Sequence, residues 1–247
     1  MSVHWYSYPD ARGAAEAAAR YMLAQLDQTL AGKEYATLAV SGGSTPKLLF
    51  AELVKIPYRW ERVHLFWVDE RAVPPTNPQS NFKLAEEFLI KPAHFPHRNV
   101  HRIPAELTPD RAAEHYVQDI RNFFQLEEGD LPHFDIVQQG MGPDAHTASL
   151  FPGEPLLDDR EGIAAAVYSE KMAQWRISLL PGVLLAARHT VFLVSGEDKA
   201  EAVRAVFNDE YDPNRLPAQV VSHHGRGVAW FLDDAASRQL RQPVQPA

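Results

Sequence analysis

The 247 residues are 45% hydrophobic, carry a formal net charge of −8 and include no cysteine, so the chain can bury a substantial core but makes no disulfide, uses no thiol nucleophile and offers no thiolate to a metal. A pI of about 5.7 argues against a general nucleic-acid surface, which needs a concentrated basic patch, and an anionic ligand must therefore meet a locally positive pocket. Met1 to Asp10 lacks a basic start followed by an apolar core, and no apolar run approaches the roughly 18–20 residues needed to span a bilayer, so a cytoplasmic protein without a membrane partner is expected.

Taken in chain order, Ala14 to Leu30 has a helical apolar pattern through Ala15, Ala18, Met22, Leu26 and Leu30, with Gly32 placed as its C-cap. A first strand covers Thr37 to Val40. A helix follows toward Val54, with Ser44 or Thr45 as N-cap, Pro46 at its first position and Leu48, Leu49 and Leu53 facing inward. Val63 to Val68 is a continuous apolar strand ending in Asp69, Glu70 and Arg71, after which a proline-rich loop leads to a helix capped by Ser80 or Asn81. Thr108-Pro109-Asp110 opens a helix with Tyr116, Val117, Ile120 and Phe124 on one side. The strand through Phe134, Ile136 and Val137 runs into a glycine-rich segment, Gly140 to Gly153. Thr190 to Val194 is the next strand, leading through Ser195 and Gly196 to a helix from Asp198 to Phe207, and Val228 to Leu232 is a last strand before a short C-terminal helix. Strands alternating with helices imply an α/β fold with a Rossmann-like, doubly wound and mostly parallel sheet. No linker divides the chain, which is read as one domain over 1–247.

Two segments carry chemistry. Val40-Ser41-Gly42-Gly43-Ser44-Thr45-Pro46 places a glycine turn between a strand and a helix N-terminus, where free N–H groups and the helix dipole favour an anion. It lacks the Lys-Ser/Thr pair of a P-loop and the third glycine of a dinucleotide fingerprint, so a monophosphate fits better than a nucleotide. Gly140-Met-Gly-Pro-Asp-Ala-His146 sets an imidazole beside closely approachable backbone, past the carboxyl end of a strand, where open α/β sheets bind ligands. Taken singly, each is also compatible with an ordinary turn. The adjacent His223 and His224 would diverge in an extended chain, and no His-Glu-x-x-His spacing or carboxylate cluster suggests a metal.

Together, Ser41 to Pro46, Trp67-Val68-Asp69-Glu70-Arg71 with Asn81, Gly140 to Gly153 (above all His146-Thr-Ala-Ser-Leu-Phe-Pro152), Arg176-Ile177-Ser178 and Lys199 resemble the 6-phosphogluconolactonase family over roughly residues 10 to 235. The resemblance implies a fold shared with glucosamine-6-phosphate deaminases and hydrolysis of 6-phosphoglucono-δ-lactone in the oxidative pentose phosphate pathway, with no cofactor. It implies His146 as the base that activates water, Asp144 supporting it and Arg71 at the lactone ring or carbonyl. The phosphate would meet Ser41, Gly42, Gly43, Ser44 and Thr45 with Arg176 and Lys199, and Asp69, Glu70, Asn81 and Gly142 would complete the substrate site. Ser149 lies nearby, but no Gly-x-Ser-x-Gly elbow presents a serine, so direct attack by water is expected.

The chain departs from the family pattern in three places. Ala145 stands where the family usually has Gly, and its Cβ penalises any positive φ by roughly 1 kcal/mol. The familiar Thr and Asn are missing after Arg176, in Leu179 to Arg188, and Gln138 and Gln139 are unusually polar for the end of a buried strand. An aminosugar-phosphate deaminase/isomerase is the nearest alternative, but it typically follows its loop His with Ile-Ala-Phe-Asn-Glu-Pro, and the Glu is absent here. A non-catalytic sugar-phosphate-sensing module is the other alternative; it would carry a DNA-binding segment, and none is visible. A monomer or small homo-oligomer is expected.

Overall fold

The computed structural model describes residues 4–240. Seven strands, β1 (His4–Tyr8), β2 (Ala36–Val40), β3 (Val63–Trp67), β5 (Val100–His101), β6 (Ile136–Gln139), β9 (His189–Val194) and β10 (Val228–Asp233), form one sheet in the order β1-β10-β9-β6-β2-β3-β5. Every neighbouring pair in it is parallel. β2 and β6 are buried along their whole length and β9 and β10 nearly so, as a parallel sheet covered by helices on both faces requires. The expected fold class is therefore the one observed.

A second sheet was not foreseen. β4 (Asp69–Arg71), β8 (Gln174–Leu179) and β7 (Ala164–Ser169) form an antiparallel three-stranded sheet in the order β4-β8-β7. Asp69, Glu70 and Arg71 thus form a separate strand of the second sheet rather than the polar end of the Val63 to Val68 strand. The short edge strands β1 and β5 were also missed, because five and two residues are too few to show a periodicity.

The helices are α1 (Ala11–Gly32), α2 (Ser44–Leu53), α3 (Asn81–Ala85), α4 (Pro109–Phe124), α5 (Pro181–Ala186), α6 (Ala200–Asn208), α7 (Ala218–His224) and α8 (Asp234–Ser237). Asp10 caps α1 by accepting from Gly13 N, and Ser80 caps α3 by accepting from Lys83 N. Gly32 lies inside α1 and Lys33 is the C-cap, with extended backbone. Leu48 is 36% exposed while Leu49, Phe50 and Leu53 are buried, so the inward face of α2 is rotated from the expected one. His223 and His224 end α7 instead of lying on extended chain, and His223 Nε2 reaches the Val206 carbonyl.

Trp67, Phe66, Phe134, Phe192 and Trp230 are fully buried along the sheet. Tyr116 of α4, also fully buried, donates its phenol to the Trp67 carbonyl (2.7 Å) and accepts from the Trp67 N–H (2.9 Å), which pins α4 to the end of β3 where the site begins.

Candidate active site

The chain runs from β2 outward to β3 and β5, then returns to β6 on the other side of β2. Strand order reverses between β2 and β6, and at such a switch point the loops leaving the carboxyl ends open a crevice. A cavity of about 230 Å³ lies there, lined by Ser41, Gly42, Gly43, Ser44 and Thr45 after β2, Gly142 and His146 after β6, Ser195 and Lys199 after β9, Asp69, Arg71 and Arg176 from the small sheet, and Asn81 of α3. Residues separated by more than 150 positions thus meet because four adjacent parallel strands end together.

In the β2 turn, Gly43 is the N-cap of α2 at φ 116°, and no side chain caps the helix. The Thr45 hydroxyl, expected as a cap, lies 3.0 Å from the Ser195 hydroxyl across the cavity, and Pro46 sits third in the helix. The uncapped N–H groups of the first turn are therefore available to a ligand. Gly42 approaches Asn81 so closely that a Cβ would fall 1.7 Å from Asn81 Oδ1.

Gln138 and Gln139 have a physical reason to be there. Both are fully buried; Gln138 Oε1 accepts from Ser41 N at 3.1 Å, and Gln139 Oε1 accepts from the Thr147 hydroxyl at 2.6 Å. The two amides fasten the phosphate-type turn and the His loop to one strand end, and their polarity was the signal that could have revealed this.

The His loop is strained. Ala145 and Ala148 have φ of 61° and 52°, in the left-handed region that costs a non-glycine residue roughly 1–2 kcal/mol. The backbone at Ala145 is thus not ordinary, and the Cβ of that departure is carried at a cost. Compensation comes from hydrogen bonds: Gly142 N donates to His146 O (2.9 Å), Ala145 N to Gly142 O (3.0 Å) and Ala218 N of α7 to Ala145 O (2.9 Å). The His146 ring lies against Gly142, where a Cβ would fall 2.1 Å from both Cε1 and Nδ1. Phe151 also packs against the ring, its centroid 4.6 Å away.

His146 Nδ1 lies 2.5 Å from Asp144 Oδ1, and Asp144 Oδ2 accepts from Lys171 Nζ at 2.8 Å. Burial alone would raise the Asp144 carboxyl, but hydrogen bonds from His146 and Lys171 outweigh it and hold the group well below the usual carboxylate range. An ionised Asp144 fixes the proton of neutral His146 on Nδ1, which leaves the Nε2 lone pair free.

Arg176, only 6% exposed, lies 3.7 Å from Asp69 Oδ2 and 5.6 Å above the Phe151 ring. Burial, only partly countered by Asp69, presses its affinity for the proton down from the guanidinium norm. Arg71 donates to the Gln79 carbonyl and has no ion-pair partner among the described residues. Lys199 pairs with Asp198 at 2.8 Å. Asp69 accepts from Ser149 Oγ (2.6 Å), and Asn81 Nδ2 donates to the Asp69 carbonyl (2.8 Å). Ser149 is wholly buried, does not line the cavity and has its hydroxyl committed to Asp69, so it is not presented as a nucleophile.

One expected substrate contact is corrected. Glu70 is 2% exposed, does not line the cavity, and accepts from the backbone N–H groups of Arg71, Asn81 and Phe82 and from Ser80 Oγ. It organises the β4–α3 connection, so its oxygens are spent before a ligand arrives. Asp144 does not line the cavity and lies against His146, the place expected of a supporting group.

Residues 9–230 match the family described as glucosamine-6-phosphate isomerases/6-phosphogluconolactonase. The chain is 39% identical to the 6-phosphogluconolactonase of Homo sapiens, covering 84% of this chain and 82% of that protein, and 36% identical to the 6-phosphogluconolactonase of Synechocystis sp., covering 88% and 90%. The crystal structure of 6-phosphogluconolactonase from Thermotoga maritima superimposes with a TM-score of 0.82 at 27% identity, over 94% of this chain and all of that one.

Proposed function

This chain belongs to the glucosamine-6-phosphate isomerase/6-phosphogluconolactonase family, and we propose that it works by His146-assisted attack of water on a lactone carbonyl. Its activity is the hydrolysis of 6-phospho-D-glucono-1,5-lactone to 6-phospho-D-gluconate, as its relatives' names and their 34–39% identity over most of the chain support. The observation that carries the mechanism is the Asp144–His146 pair beside a cavity that also holds Arg71, Arg176, Lys199 and the glycine turn after β2.

The dianionic phosphate sits on the Ser41–Thr45 turn with Lys199 and Arg176, where N–H groups, a point charge and a guanidinium fork act together. Asp69 and Asn81 meet sugar hydroxyls, Gly142 gives the ring room, and Arg71 faces the lactone. His146 Nε2 accepts a proton from water as its oxygen attacks the carbonyl carbon. The ring oxygen leaves on collapse of the tetrahedral intermediate and takes that proton from the imidazolium, so the base is regenerated. Such a positioned base contributes roughly 10²- to 10⁴-fold in rate.

The same reading takes the chain as one catalytic domain, a cytoplasmic enzyme of the oxidative pentose phosphate pathway acting alone or as a small homo-oligomer on a small phosphorylated sugar. Among the described residues no helix is long and apolar enough to cross a membrane. The deaminase alternative is disfavoured by Leu150-Phe151-Pro152, where its Glu would stand. Assaying freshly generated lactone and glucosamine 6-phosphate side by side against an enzyme-free blank tests the reading: lactone opening well above blank with no ammonia release is expected, and the reverse pattern overturns it.

A further inference from the structure

We propose that Lys171, in the turn between β7 and β8, is a positioning residue that acts on His146 through Asp144; the proposal rests on His146 being the base. The two oxygens of Asp144 have separate tasks, Oδ1 at His146 Nδ1 and Oδ2 at Lys171 Nζ. A carboxylate held at one oxygen is free to swing about its broad terminal torsion and carry the imidazole with it, whereas one held at both is fixed. The ammonium also balances the Asp144 charge. An unbalanced carboxylate favours the protonated ring, which has no lone pair with which to accept a proton from water.

Lys171 is held where it is by its hairpin. β7 and β8 pair through six registered positions, and the four-residue turn closes with Ala173 N donating to Glu170 O at 3.1 Å. The same β8 strand delivers Arg176 to the substrate cavity, so one rigid unit carries a cation to the ligand and a second cation to the back of the base. Lys171 is 61% exposed, and so exposed a pair adds little to folding stability. The other charged groups around the dyad are Arg71, Arg176, Asp69 and Lys199 in the substrate cavity, and Glu154 and Glu170, which line a neighbouring cavity with Asp144 and Lys171. Among the described residues only Lys171 and His146 are hydrogen-bonded through their side chains to Asp144.

The test is steady-state lactone hydrolysis, as kcat, KM and pH profile, for wild type, Lys171→Met, Lys171→Arg and His146→Ala. Lys171→Met is expected to lower kcat about tenfold, a fraction of what a general base supplies, with KM within about twofold and the acid limb of kcat/KM moved to higher pH. Lys171→Arg restores most of the rate. A Lys171→Met enzyme with wild-type kcat and an unmoved acid limb overturns the proposal, and so does a slow one whose acid limb stays put and which Arg fails to rescue. Either result beside an inactive His146→Ala defeats the Lys171 role alone, whereas an active His146→Ala defeats the base assignment and this inference with it.

Discussion

Arg71 and Arg176 stand directly opposite one another in the antiparallel β4–β8 pair, and both line the cavity. Like charges in facing register destabilise a sheet, so the fold tolerates here a repulsion that the proposed anionic substrate would relieve. Replacing Arg176 by Met is expected to leave the protein folded while raising KM for the lactone about 10- to 100-fold, the loss of one charge-assisted hydrogen bond at roughly 1.5–3 kcal/mol. Inorganic phosphate should raise the Tm of the wild type and not that of the variant. An equal rise in both contradicts this account of the pair.

Gly142 is the residue whose lack of a side chain lets the His146 ring lie where it does. A Cβ there meets Nδ1 and Cε1 at 2.1 Å and Asp144 Oδ1 at 2.6 Å. Gly142→Ala therefore displaces the imidazole, and misplacement on this scale costs about 10²-fold in kcat. Denaturant titration should show a folded protein; unchanged turnover would show that the ring has another place to go.

Ala145 pays for a left-handed φ of 61° while keeping its methyl fully buried. Ala145→Gly relieves about 1 kcal/mol of strain and loses about 0.8 kcal/mol of methyl burial, so chemical denaturation should find it within about 0.5 kcal/mol of wild type. Ala145→Val, β-branched at positive φ in a packed site, should destabilise by more than about 2 kcal/mol. A valine variant as stable as wild type would refute the strain.

His64 gives a pH dependence far from the site. Its Nδ1 lies 3.0 Å from His101 Nε2, and His101 Nδ1 lies 3.0 Å from Asp119. Burial first, then the neighbouring charges of His101 and Arg98, press the His64 ring down to about 4, against about 6.5 in an unfolded chain. The unfolded state thus binds more protons between these values, and the stability His64 contributes above pH about 6.5 is lost as pH falls toward 4. The stability difference between wild type and His64→Phe should therefore shrink between pH 7.5 and 5, as read by denaturant titration at both values. A constant difference rules the titration out.

The inner strands of the central sheet were legible because they are largely buried and read as mostly apolar runs, such as Leu65 to Val68 and Val191 to Val194. The small sheet was not, because Asp69-Glu70-Arg71 is too polar and short to look like a strand and pairs with β8 more than a hundred residues away. In the site, the polar segments after the strands were visible one by one, while their convergence depends on the strand order. Glu70 and Asn81 sit side by side in the reading of the motif, yet one carboxylate is consumed by four donors and the other side chain reaches the cavity. Ser195 and Lys171 carry no signature of their own, and only tertiary contact with Thr45 and Asp144 brings them into view.

The most direct test is to measure hydrolysis of fresh 6-phosphoglucono-δ-lactone by His146→Ala, with binding of 6-phosphogluconate followed calorimetrically in the same preparation. The account predicts a kcat lower by about 10²- to 10⁴-fold with product affinity within about threefold of wild type, because the phosphate and hydroxyl contacts do not involve the imidazole. A folded His146→Ala enzyme that opens the lactone at the wild-type rate contradicts it.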